Sequence, residues 1–315
     1  MADLPVPTVP AVASNVAARL ANASVEVRTE TPLLPKAAFF LISVASLVGV
    51  YFTGRLHGLE GVGLVWRWLH FWGLALASGM LAWRLFYLRR SESGLSDEHV
   101  GALFRDLLGQ VGVLRRFLVP LLLVGAPAPW FVAYLSPWQA AALTTISLAT
   151  ALAVLGTHER RSAAFAAFSL GLAGLALWGW SDSAGLAPLA AIRTVHLWAF
   201  AAWLGGALFN LGAAVPSGRR NANLDAVVAG ARQLERFRWV VRTALPTVIL
   251  TGVWMALRYG GVTSPFWQAG LGLLVPLKLV LILALVVIFI TCPLYRACSP
   301  VRGVCNLEDL EPVGR

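Results

Sequence analysis

Long apolar stretches dominate the chain, and short basic ones separate them. Runs of the length a helix needs to cross a bilayer, about 20 residues, lie at 36–55, 61–88, 117–135, 138–156, 163–181, 187–213, 239–259 and 266–295. This pattern predicts an all-α polytopic membrane protein with eight transmembrane helices, the longer runs accommodating tilt. Residues 1–34, rich in Pro, Ala and Val and then polar, read as a cytoplasmic N-terminal tail, and 298–315 as a C-terminal one. No basic stretch precedes an apolar one in the first tail, so no cleavable signal is expected there.

Two polar connections carry a helical pattern of their own. Residues 95–111 open on Ser96, Asp97 and Glu98 and continue with Val100, Leu103, Phe104, Leu107 and Leu108. That is the signature of a capped amphipathic helix lying on the membrane surface. Residues 222–236, with Leu224, Val227, Val228 and Leu234, repeat it more weakly.

The basic residues set an orientation. The connections after the second, fourth and sixth runs hold Arg89, Arg90, Arg105, Arg115 and Arg116, then Arg160 and Arg161, then Arg219, Arg220, Arg232, Arg236 and Arg238. The opposite connections hold little besides Arg55 and Arg258. Cytoplasmic loops collect Lys and Arg, so both termini are expected in the cytoplasm of a bacterial-type inner membrane.

The chain also repeats itself. Ala37-Ala38-Phe39 returns as Ala163-Ala164-Phe165, Ser43 as Ser169, His70 as His196, Arg116 as Arg242 and Pro120 as Pro246, all at an offset of 126. Ser136-Pro137 returns as Ser264-Pro265 with the offset slipped to 128. Four helices in each half make the halves parallel, related by an axis along the membrane normal. The expected division is 35–160 and 161–297, with Pro120 and Pro246 as matched kinks.

Composition agrees with the pattern. The chain is 58% hydrophobic and 13% charged, about half the charge of a soluble domain. The net charge of +10 then reflects orientation rather than nucleic acid. Cys292, Cys298 and Cys305 match no CxxC pattern, and an odd number argues against a disulfide framework.

Candidate chemistry centres on Arg67-Trp68-Leu69-His70-Phe71-Trp72 and its echo Arg193-Thr194-Val195-His196-Leu197-Trp198, each followed by a glycine (Gly79, Gly205) at the same distance. Ionisable residues inside apolar helices mark functional sites. His70 and His196 are expected at one depth, about two to three turns in from the outer side, with Arg67 and Arg193 one turn nearer water. Gly73 and Ala77 continue one face, Ala199 and Trp203 the other. Two imidazoles beside small residues suit the iron of a b-type haem, with the arginines on its propionates. Copper is the alternative ligand, although soft Cu(I) favours Cys and Met and the chain has only Met1, Met80 and Met255. Packing histidines that bind nothing are the third reading. Lys278, in the last run, suits an acidic group, a quinone oxygen or a porphyrin carboxylate. His57 is placed at the outer face, and His99 and His158 at the cytoplasmic one.

Arg193-Thr194-Val195-His196, Trp203-Leu204-Gly205-Gly206, Leu234-Glu235-Arg236-Phe237, Arg242, Pro246, Thr251-Gly252 and Lys278-Leu279 resemble the membrane domain of copper-resistance CopD-like proteins. They also resemble the HemJ-type protoporphyrinogen oxidases. The first resemblance implies copper passage across the inner membrane. The second implies haem and porphyrin chemistry involving His196 and Lys278. From the residues themselves, the expected function is electron transfer through one haem b between His70 and His196, linking quinol and an extracytoplasmic redox partner, within a complex of other redox or membrane subunits. Copper transport is the alternative, and a non-catalytic accessory subunit a second.

Overall fold

The computed structural model describes residues 33–157, 159–258 and 273–291. Eight long helices account for most of them: α1 (Leu33–Leu56), α2 (Val62–Ala82), α3 (Asp97–Gly125), α4 (Pro137–Leu155), α5 (Arg161–Ser181), α6 (Ala187–Phe209), α7 (Leu224–Arg258) and α8 (Leu274–Thr291). Six stretches are long and apolar enough to cross a membrane: Lys36–Leu56, Asp97–Phe131, Pro137–Leu155, Arg161–Ser181, Ala187–Arg220 and Leu224–Arg258. A lipid bilayer is the medium such helices require. α2 is outside this set because Trp66, Arg67, Trp68, His70 and Trp72 lower its hydropathy. α8 is described over too short an apolar stretch, Leu274–Ile288. Both expected tails, His158, Ser264-Pro265, Cys292, Cys298 and Cys305 lie outside the described residues.

The amphipathic connections are not separate surface helices. Residues 95–111 run without a break into the third apolar run as α3, and 222–236 run into the seventh as α7. Gly112 stands at the first expected break and no glycine or proline at the second, yet both helices run on, and Pro120 and Pro246 lie inside them. Ser96 caps α3, its side chain accepting from the His99 N–H. The third run ends early, at Gly125, because Pro127 and Pro129 replace the last helical turns with a 3-10 turn, Ala128–Phe131.

α2 and α6 cross at the centre. From Leu74 to Leu81 every residue of α2 is buried, as is Trp203 to Phe209 of α6. Glycines set how closely they approach. A Cβ on Gly79 would lie 1.8 Å from the Ala201 carbonyl oxygen, and one on Gly205 would lie 2.4 Å from the Gly79 Cα. Small residues at a helix crossing let dispersion contacts form between backbones, which is what drives association in lipid. One turn on, Trp83 stacks on Phe209 with centroids 4.6 Å apart and planes 15° apart. Both helices then end in a π turn, Trp83–Tyr87 and Asn210–Ala214, and α6 continues as Val215–Arg220. α5 packs against α2, α4 and α6; α1 joins α8 to α6; α7 covers the other side of α6.

Several meeting residues stand 126 apart in sequence. Gly79 meets Gly205, Trp83 meets Phe209, and the His99 ring bonds the Asp225 carboxylate at 2.8 Å.

Candidate functional site

Asp182 organises one end of the bundle. It closes α5 as its C-cap, its N–H donating to the Trp178 carbonyl at 2.9 Å, and the chain then turns through Ala184 (φ 48°) and Gly185 (φ 77°). The turn presses the carboxylate inward between α2 and α6. Arg67 Nη2 donates to its Oδ2 at 2.6 Å, and Arg193 Nη1 lies 3.0 Å from the same oxygen. Tyr134 donates to Oδ1 at 2.6 Å. Arg67 is 1% exposed, Asp182 and Arg193 5% each, so water screens this pair of bridges little. The Arg67 guanidinium also lies over Phe71, Trp178 and Tyr134, 5.3–5.8 Å from the ring centroids. The repeated arginines are therefore held by a carboxylate of the chain itself, which takes the place expected for propionates.

His57 and Tyr134 flank the cluster, their rings stacked at 4.4 Å. His57 Nε2 lies 3.2 Å from the Asp182 carbonyl oxygen. Burial, followed by the Arg193 and Arg67 charges, pushes the His57 imidazole down, against the opposing pull of Asp182. Burial, with the adjacent carboxylate, pushes the Tyr134 phenol up. The phenol therefore stays a donor. Asp182 and Tyr134 were missed by sequence reasoning. The available signal for Asp182 was a lone acid directly after an apolar run, in Ser181-Asp182-Ser183.

The two histidines diverge. His70 is buried with its back to Gly125, its ring edge-on to Trp178 at 5.7 Å, and neither ring nitrogen has a hydrogen-bond partner of acceptable geometry. His196 instead faces a cavity of about 190 Å³ between α1, α6, α7 and α8. The Thr251 hydroxyl donates back to the Thr247 carbonyl, as helical threonines do, so it accepts from His196 Nδ1 at 2.8 Å. That fixes the proton on Nδ1 and leaves the Nε2 lone pair available.

Arg67, Arg193, Trp203 and Lys278 line this cavity together with His196. Met255 lines it too, whereas Met80 is core. His70, Gly73, Ala77 and Ala199 do not line it: Gly73 faces Leu121 and Leu122 of α3, and Ala77 and Ala199 belong to the packed core. Lys278 stands in the second turn of α8, nearer the Asp182 end than mid-helix, with its ammonium over the bare Cα of Gly49. The difference between the two histidine environments has a simple source. Trp178 fills the space beside His70, and at the position 126 earlier stands the smaller Phe52, which lines the cavity beside His196.

An iron porphyrin does not fit these residues. Of the two histidines expected as its ligands only His196 lines the cavity, and the arginines expected on its propionates are held by Asp182. The donors that the cavity offers a single metal ion include the His196 imidazole and the Met255 thioether, both of which line it. Among the described residues no group of three or more His, Cys, Asp or Glu side chains is placed to hold a metal.

Residues 231–302 match the family model of copper resistance protein D. This stretch is similar to the CopD family. It begins within α7, includes Pro246, Thr251, Gly252 and Met255, and extends past Lys278, so it supplies two walls of the cavity. No curated protein and no solved structure matches the chain.

Proposed function

We propose that the protein handles copper within the membrane, as a copper-resistance protein of the CopD kind, with the cavity beside His196 as the place where the ion is received. The observation that carries this reading is the copper resistance protein D match over the segment that forms two of the cavity walls. The donor set is compatible: a neutral imidazole nitrogen and a thioether suit Cu(I), and His196 and Met255 line one space. Thr251 acts as the second shell, orienting the ring and fixing its tautomer. The Asp182 cluster would close the cavity toward the outer solution.

The proposed architecture is eight spans in two parallel halves, with basic connections and both termini on the cytoplasmic side of an inner membrane. The contacts between residues 126 apart support an axis running between Gly79 and Gly205. In this reading one of two equivalent histidine sites has been filled by Trp178 and the other remains open.

The test is a Cu(I) titration of the purified protein in competition with a chromophoric chelator. One equivalent should bind, and His196→Ala and Met255→Leu should each weaken it while His70→Ala should not. Binding that persists in His196→Ala would overturn the site. Absence of Cu(I) binding in the unaltered protein would overturn the function.

A further inference from the structure

The cavity carries more positive charge than a metal site wants. Three basic side chains, Arg67, Arg193 and Lys278, line it against one carboxylate, Asp182, which both arginines already share. Among the described residues no acid pairs with Lys278. Its ammonium instead reaches across from α8 to α1, where the missing side chain of Gly49 makes room for it: a Cβ there would sit 2.9 Å from Nζ.

Most of the rest of the lining is apolar, Ser46, Thr53 and His196 apart, and part of it leads away from these charges. Leu41, Ile42 and Ala45 lie on α1 toward its start, and Ile282 and Leu285 on α8 toward its end. Measured along either helix, this apolar part extends about 10–12 Å from Gly49 or Lys278. The space is thus polarised, with a basic head region near Asp182 and an apolar trough leading away from it. It also has a way in from lipid. α8 packs along α1 rather than along α7, and Val253 and Leu279, on the two sides of the gap, are both exposed and both line the cavity.

We infer that the cavity binds a single-chain amphiphile with a carboxylate head, its head on Lys278 and the first part of its chain in the apolar trough. A volume of about 190 Å³ admits a carboxylate and a short length of alkyl chain, with the remainder projecting into the bilayer. It excludes a phospholipid's glycerophosphate and two chains. A neutral quinone ring is of the right size but leaves the charge of Lys278 unanswered. The inference does not rest on the copper reading, although a bound carboxylate would supply the negative charge that a cuprous ion beside His196 lacks.

The experiment uses the full chain in nanodiscs of zwitterionic lipid with a copper chelator present, so that its outcome is independent of copper. The probe is a 16-carbon fatty acid bearing a doxyl spin label, compared with its methyl ester, an anionic phospholipid and a short-chain quinone as competitors. The acid should bind saturably at one site and the ester at least about tenfold more weakly, the scale of one charge-assisted hydrogen bond. Lys278→Gln should lose a similar factor and Lys278→Arg should not. Ala45→Phe, which leaves the charges in place, should block the trough and also release the probe. Equal binding of acid and ester by the unaltered protein would overturn the proposal without any variant having to fold. So would displacement of the acid by the phospholipid or the quinone but not by unlabelled fatty acid.

Discussion

Gly205 lies against Gly79 so closely that a methyl group on it would come within 2.4 Å of the Gly79 Cα and carbonyl carbon. Both obstacles are backbone, so no side chain can rotate away to relieve the clash. Gly205→Ala should therefore cost at least the 1–3 kcal/mol typical of an overpacked core, about 3 kcal/mol or more here, read as a lower midpoint of thermal unfolding in detergent. Gly230→Ala is the matched control. A Cβ at Gly230 in α7 meets nothing within 4 Å, and the substitution should be neutral or raise stability by up to about 1 kcal/mol through helix propensity.

Among the described residues Asp182 is the carboxylate that Arg67 and Arg193 share, and its removal takes that charge away from two buried guanidiniums. Asp182→Asn should destabilise the protein by about 3–5 kcal/mol. Arg67→Met should cost less in that background than in the unaltered protein, because the partner is already gone. A thermodynamic cycle over the four proteins measures the coupling; additive losses would contradict the bridge.

His70 and His196 should respond oppositely to substitution. His70 has only a poorly aligned approach to the Gly125 backbone to lose, so His70→Phe should change stability by less than about 1 kcal/mol. Trp178→Ala, which empties the space beside it, should cost about 3–5 kcal/mol. His196→Phe should leave the fold intact and abolish Cu(I) binding. Loss of Cu(I) binding in His70→Phe would reverse the assignment of the two histidines.

His57 gives the outer cluster a pH dependence. Its imidazole is pushed below the ordinary value of 6.5, chiefly by burial, so the unfolded chain takes up a proton that the folded one resists. Its contribution to stability is complete above pH 6.5 and is lost as pH falls from there through the folded value. Unfolding midpoints measured from pH 7.5 to 5 should fall more steeply for the unaltered protein than for His57→Gln.

The helices were legible because 3.6-residue periodicity and hydropathy act locally: each of the eight long helices overlaps a predicted run, although α3 shares only residues 117–125 with its own. Their ends were less so. Whether 95–111 lies flat or continues upright as α3 depends on packing against α6 and α7, which no local pattern encodes. The repeat brought out Arg67, Arg193, His70 and His196, yet equal spacing did not make their surroundings equal. Trp178 against Phe52 decides which histidine faces a cavity, and both residues read simply as aromatic in an apolar run. Asp182 was hidden for the opposite reason. It has no counterpart in the first half, where Leu56 stands at the position 126 earlier, and a search guided by repetition passes over what occurs once.

That single carboxylate makes the two halves unequal in what each needs. Residues 161–297 contain Arg193 together with Asp182 and can neutralise their own charge. Residues 35–160 contain Arg67 and no acid that reaches it, so its neutralisation comes entirely from the other half. Dependence runs one way. A fragment that ends before Asp182 would therefore keep the Arg67 guanidinium without the carboxylate that neutralises it here.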